Sequence, residues 1–579
     1  MTTVPDDLQK QPAPGLGAAA RLVPDSANRA AERRRTLTDG LFLGLIMLMS
    51  VLPYISWLGF YIDDWPYLRL LETAPDPSLI GRIHALYTGD LVIRQRPAQV
   101  VELAILHSLF QRQPAGYHWS NTAVLMANVF LVYAILRHLR QPRVIALAVA
   151  VCYGMLPHYS TDRFWVAAFQ APLSILFYLL SLYADLRSFP ARPSAFWFWR
   201  GLSALCVLAS GMAYEVALPL FFLNPMIVWV SARRLGRAPD AAGWNAARWL
   251  RFWALPALAL AAVVAYKLLV TVRLSAAGSD WAYLLSLVGG ALRVNYGTYG
   301  LGLPLVLAWI FREVALWPNL VVSGAIGLII WAYLAWTAQR STTEWPRPAA
   351  WLALAGVGGL VFGLGYAIFL VNRDVWFTSA SVGNRIAIAA ALGVALTFVG
   401  GLGLIGQALP SGWLRWQFWC GSVALLAASG ALIINTLAGY WVAAYAREVS
   451  LLSELRTRLP DLPHGSTVIL DGVCLEQGGA YVFTGHRDIG PALQSLYDDD
   501  TLWAAAITHS PKMTAVGLTL LTHTDYNTYP YGASLIVYQA SQQHLYVLTD
   551  QAAAEAWQAA SNFAPEVDCP PGFAWGRNE

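Results

Sequence analysis

The chain has 579 residues, of which 57% are apolar and 12% charged; 38 Lys and Arg against 34 Asp and Glu leave a formal net charge of +4, with a mean hydropathy of +0.48. Soluble domains carry charge on roughly 25% of their residues, and even large ones bury only about three quarters of the surface their unfolded chain exposes, so the composition excludes a water-soluble globule and marks a multi-pass membrane protein. It also excludes a disordered chain, a collagen-like repeat and a disulfide scaffold, and a charge of +4 over this length is no nucleic-acid signal.

Residues 1–39, rich in Ala, Pro and Arg, read as a disordered cytoplasmic tail. Its basic end (Arg29, Arg33, Arg34, Arg35) directly precedes the apolar run 41–60, which reads as an uncleaved first span with the N-terminus inside. Further spans are expected near 118–138, 143–157, 164–186, 197–213, 214–231, 252–272, 317–337, 349–371, 385–407 and 416–441. The segment 281–311 is open between an interfacial or re-entrant element and two more spans. The fold class is therefore an all-α polytopic membrane domain over 40–442, with about eleven transmembrane helices and up to thirteen.

Parity supports the map. With the N-terminus inside, the inner loops 139–142, 187–196, 232–251, 338–348 and 408–415 carry Arg140, Arg187, Arg192, Arg233, Arg234, Arg237, Arg248, Arg251, Arg340, Arg347 and Arg415, in line with the positive-inside rule. The outer pieces are then 61–117, 158–163, 273–316, 372–384 and everything after 442. Residues 443–579 have ordinary polarity, turn signals and strand-like runs at 466–470, 534–539 and 544–548, which predict a small α/β extracytoplasmic domain. Cys152, Cys206 and Cys420 lie in apolar runs and read as inert fillers. Cys474 and Cys569, in the polar region, are placed to pair if that region is outside the cell, or to remain free.

The strongest chemical signal is Phe60-Tyr61-Ile62-Asp63-Asp64-Trp65-Pro66, a carboxylate pair at the outer end of the first span. Neighbouring acids repel, which raises at least one pKa unless a cation compensates, and a raised carboxylate at the water boundary suits a general base. The alternative is a polar stop or helix N-cap. The outer loop 61–117 adds Arg94-Gln95-Arg96-Pro97 and the stretch 99–110, whose spacing predicts a helix lying on the membrane surface. Arg94 and Arg96 can grip a lipid phosphate or snorkel to headgroups.

His158, Asp162 and Arg163 form a second outer group, a polar turn in the bland reading. Glu215 stands at the outer end of two spans, where a carboxylate is costly unless paired or functional. Arg373 and Asp374 precede Arg385, which opens a span at the same boundary; Arg373 and Asp374 can also be a surface pair worth little. These clusters all fall on one side, whereas an ion-coupled transporter would show them near the midplane.

These residues resemble the GT-C class of polytopic glycosyltransferases, and within it the bacterial relatives of the protein O-mannosyltransferase and four-TPR transmembrane families. Four pieces carry the resemblance: the acidic pair after the first span; Arg96-Pro97 through Pro114-Ala115-Gly116-Tyr117-His118-Trp119-Ser120-Asn121; Leu156-Pro157-His158 through Asp162 and Trp165; and Tyr214-Glu215, where many members have Lys-Glu. No TPR repeat follows the membrane part.

The resemblance implies a polyprenyl-phosphate sugar donor, a protein or glycan acceptor, and inverting transfer at the outer face of the cell (plasma or inner) membrane. It assigns Asp63 as base and Asp64 as acceptor-orienting or metal-holding residue. Arg385, with Arg94 or Arg96, would neutralise the lipid phosphate, and His118, His158, Asp162, Glu215 and Arg373 complete the substrate site. No cofactor is required by this reading, although Asp63, Asp64, His84, His107 and His158 admit a divalent metal. The competing functions are a transporter or flippase of lipid-linked glycans and a non-catalytic membrane scaffold.

Overall fold

In the computed structural model the described residues are 26–188, 193–234, 246–270, 281–314, 316–340, 344–371, 377–507, 510–522 and 525–561. The first helix, α1 (Ser26–Val51), begins inside the stretch expected as a disordered tail. Ala30, Ala31, Glu32 and Arg33 to Arg35 are strong helix formers, and Asp39 anchors the helix; residues 1–25 lie outside the described residues. Arg143 Nη2 donates to Asp39 Oδ1 at 2.5 Å and Tyr333 OH to the same oxygen at 2.7 Å, while Tyr133 OH donates to Oδ2.

The first outer loop folds into three helices, α2 (Asp64–Glu72), α3 (Leu79–Gly89) and α4 (Pro97–Phe110). Val101, Ile105 and Leu109 of α4 are exposed at helical spacing, as the surface-helix reading requires. The chain then runs through α5 (Pro114–His138) and α6 (Arg143–Met155), a short α7 (Thr161–Phe164), α8 (Gln170–Ser188), α9 (Pro193–Ala213) and, after a 3-10 turn at Glu215–Phe222, α10 (Leu223–Arg234). The helices α11 (Ala246–Val270), α12 (Trp281–Leu292), α13 (Leu303–Trp309), α14 (Trp317–Gln339), α15 (Pro348–Tyr366), α16 (Ile388–Gly406) and α17 (Gly412–Arg458) complete the membrane part.

Among the described residues nine helices are long and apolar enough to cross a membrane. The open segment 281–311 is one helix pair, bent by 66° next to Gly302, that passes the same test only when taken together. The expected span at 143–157 is a helix of 13 residues. Val144 to Met155 are all buried, so α6 is wrapped by its neighbours and has no lipid-facing surface to fill. The α15–α16 pair is close because Gly358 and Gly393 face each other's backbone: a Cβ on Gly393 would lie 2.4 Å from the Phe362 nitrogen and 2.5 Å from the Gly358 oxygen. Small residues permit such approach where lipid supplies no hydrophobic drive. A buried ion pair, Arg200 with Asp185, joins α9 to α8 and is completed by Asn224 at 2.9 Å and the Phe252 carbonyl.

Residue 442, the expected domain boundary, falls within α17, a helix of 47 residues that continues into the polar region as far as Arg458. Beyond it lie β1 (Thr467–Asp471), the hairpin β2 (Glu476–Gln477) and β3 (Ala480–Tyr481), then α18 (His486–Tyr497), β4 (Trp503–Ala506), β5 (Lys512–Met513), β6 (Gly517–Thr522), β7 (Asp525–Pro530), β8 (Leu535–Gln539), β9 (His544–Val547) and α19 (Gln551–Ala560). The main sheet has the order β4-β1-β8-β9, with β1 parallel to β4 and β8, and β9 antiparallel at the edge. Every residue of β8 is buried, as an interior strand requires. The strands β5, β6 and β7 form a separate antiparallel sheet. Cys474 is disulfide-bonded and Cys152, Cys206 and Cys420 are free and buried; Cys569 lies outside the described residues.

Candidate active site

The α/β domain docks on the first outer loop. Its helix α18 packs on α2, where Arg69 reaches Asp500 at 2.6 Å and Asp498 at 3.1 Å. Glu72 accepts from Ser495 Oγ at 3.1 Å and from Arg112, which also donates to the Ser495 carbonyl. The carboxylate pair, the outer loop and the α/β domain therefore share one face of the bundle.

On that face the segment 59–64 is held tightly. Gly59 N donates to Tyr61 OH, which donates to the Trp441 carbonyl at 2.9 Å; Trp165 Nε1 donates to the Tyr61 carbonyl at 3.1 Å. Ile62 has φ +48°, which is unusual for a β-branched residue and costs on the order of 1–2 kcal/mol. The turn separates the two acids. Asp64 is buried and accepts from the backbone N–H of Tyr61 (2.8 Å) and of Ala167 (2.7 Å). Asp63 is half-buried and makes no hydrogen bond or ion pair through its carboxylate among the described residues. Burial pushes the Asp63 carboxyl above the ordinary carboxylate range; Arg385, Arg487 and Arg96 pull it back down and Asp90 pushes it up.

Three elements bring those cations in. The loop 156–165 is clasped to 378–387 by Asn384, which accepts from Thr161 N (3.1 Å) and donates to Ser160 Oγ (2.7 Å). This clasp sets the Arg385 guanidinium 4.8 Å above the Trp165 ring, with no carboxylate within ion-pair distance among the described residues. Asp162 lies behind, fully buried, with both carboxyl oxygens unpartnered. Burial holds its pKa well above the usual range against the pull of Arg385 and Arg163. Arg96 stacks on the Tyr214 ring at 4.6 Å and lies 3.8 Å from Glu215, which binds Lys267 at 2.9 Å. The cation for Glu215 thus comes from α11, not from the position before it.

The third element is α18, whose first turn presents Arg487, exposed and without an ion pair among the described residues. Sequence reading missed Arg487 because a basic residue in the first turn of a polar-domain helix has no distinguishing signature.

The remaining candidates lie elsewhere. Arg94 points outward over Tyr87 at 5.3 Å, and its carbonyl accepts from Tyr266 OH. His118 and His158 are buried, with Nε2 bonded at 2.9 Å to the carbonyls of Gly59 and Asn295 respectively. Burial lowers His158 to about 4, which keeps it neutral. Arg373 lies outside the described residues. Among the described residues no three His, Cys, Asp or Glu converge to hold a metal.

No family model matches the chain, and no curated protein matches it. Among solved structures it is similar to ArnT from Cupriavidus metallidurans bound to undecaprenyl phosphate, with 12% identity, 81% of this chain and 86% of that chain covered, and a TM-score of 0.35. It is also similar to the oligosaccharyltransferase AglB from Archaeoglobus fulgidus in complex with an inhibitory peptide and a dolichol-phosphate, with 12% identity, 80% and 64% covered, and a TM-score of 0.35.

Proposed function

We propose that the protein is a membrane glycosyltransferase that moves a sugar from a polyprenyl-phosphate donor to an acceptor hydroxyl at the outer face of the cell membrane, with inversion. The observation that carries the reading is Asp63: a carboxylate with a raised pKa and no ion pair among the described residues, under the electrostatic pull of Arg385 and Arg487, neither of which is ion-paired to a carboxylate among those residues. Arg69, Arg96 and Arg112 nearby are all committed to acids. A free base beside free guanidiniums suits a reaction that removes a proton and releases an anion.

In the proposed step the acceptor oxygen attacks the anomeric carbon while its proton passes to an Asp63 carboxylate oxygen. The anomeric C–O bond to the lipid phosphate breaks, both bonding electrons leave on the phosphate oxygen, and Arg385 stabilises the charge that develops there. Arg96 is oriented by Tyr214 and Glu215 and adds positive potential near Asp63. Asp64 fixes the backbone on which Asp63 stands.

The test uses the full chain in vesicles with a panel of polyprenyl-phosphate hexoses and pentoses, and reads release of polyprenyl phosphate with transfer to acceptor. Asp63→Asn is expected to lose about 10²–10⁴ in rate at unchanged expression. A fully active Asp63→Asn protein overturns the reading, and so does transbilayer movement of the donor with no transfer.

A further inference from the structure

The opposite end of the bundle contains a cavity that this chemistry does not use. Chain direction sets its position: α6 begins at Arg143 near the cavity mouth and ends at Met155 beside the catalytic loop. Its volume is about 400 Å³, within the range of about 300–1,000 Å³ that holds a small ligand. The walls are apolar faces of α5, α8, α10, α15 and α16, among them Leu182, Leu223, Leu354 and Leu396. Apart from Tyr178, the polar lining groups gather near the mouth, at His138, Arg140, Gln141 and Ser231.

Two observations restrict the occupant. Met226, Val357 and Leu360 line the cavity and are also 54%, 50% and 43% exposed on the flank of the bundle. They belong to helices that cross the membrane, so this side of the cavity opens between α10 and α15 to hydrocarbon, not to water. At the mouth Arg140 is exposed, makes no ion pair among the described residues and holds a left-handed backbone with φ +59°. That position beyond a helix end is more commonly glycine. Beyond Tyr178 and Leu392, towards Tyr153 and Ile388, follows a separate void of about 10 Å³, too small for a chain to pass. The cavity's mouth, at residues 138–141 and Ser231, thus lies on the leaflet away from Asp63.

We propose that this cavity holds a hydrocarbon chain of an anionic phospholipid from the leaflet opposite the catalytic face, with the lipid phosphate on Arg140. The apolar walls take the chain, the gap between α10 and α15 admits it sideways, and the unpaired guanidinium at the water boundary selects the charge. The site does not depend on the glycosyl-transfer reading.

Native mass spectrometry of the full chain, released from vesicles of equal phosphatidylglycerol and phosphatidylcholine, tests it. The wild-type chain is expected to retain one phospholipid, with phosphatidylglycerol enriched about fivefold over phosphatidylcholine. Ala353→Phe, which fills the cavity, should remove the bound lipid. Arg140→Gln should leave it bound but return its composition to that of the vesicle. The proposal is overturned if the wild-type chain retains no phospholipid, if Ala353→Phe retains it unchanged, or if added polyprenyl phosphate takes its place. Should Ala353→Phe not fold, an undiminished phosphatidylglycerol preference in Arg140→Gln overturns it alone.

Discussion

Asp63 and Asp64 are adjacent in sequence and opposite in circumstance. A base must be ionised to act, and burial has moved Asp63 above the usual carboxylate value of about 3.9. The acid limb of kcat/KM should therefore lie above that value, with activity lost as pH falls through it. Asp90→Asn removes a repelling charge, keeps an acceptor for the Val92 and Ile93 amides, and should shift the limb to lower pH. Arg487→Gln removes an attracting charge and should shift it to higher pH, each by less than about one unit. A pH–rate series on the three proteins checks both signs.

Asp64→Asn sets an amide N–H2 against the backbone N–H of Tyr61 or Ala167. It should destabilise the fold by about 1–3 kcal/mol, visible as a lower midpoint in thermal unfolding. The residues alone marked the acid pair, and only the resemblance named Asp63 as the base; which member stays free depends on the left-handed turn at Ile62. It likewise could not separate Arg94 from Arg96. Two residues apart, they diverge, one to Tyr87 and one to Tyr214.

At the scale of elements, most spans were legible because hydropathy reports burial in lipid directly. The first helix was legible only from its apolar half, since Asp39 before it is satisfied by partners on α5, α6 and α14. The strands at β1, β8 and β9 matched their apolar runs to within a residue. The site's third cation was not legible, because the docking of α18 on α2 rests on ion pairs between distant segments of chain. The α15–α16 contact yields a sharper expectation. Gly393→Val puts a side chain against the backbone of Phe362 and Gly358. It should cost about 1–3 kcal/mol, read as a lower melting midpoint with α15 less protected from hydrogen exchange.

For the whole molecule, the α/β domain and the acid pair share one face, and the clusters around Asp39 and Arg200 mark the other. The charge pattern of the loops predicts that the first of these faces lies outside the cell. A cysteine introduced at exposed Gln542 should react with a membrane-impermeant maleimide in intact cells, whereas one at exposed Gln339 should react only after permeabilisation. Labelling in the reverse order would remove both the sidedness and the access to an extracellular acceptor.

The uninterrupted α17 has a mechanical corollary. Its 47 residues rise about 70 Å, more than twice a hydrocarbon core of about 30 Å. A single stiff mast therefore carries the headpiece, without proline or joint where it leaves the bilayer. Swinging the headpiece aside would mean tilting a column seated among α6, α14 and α16. On the proposed function, a bulky acceptor would then thread in laterally, along the seam between headpiece and membrane surface.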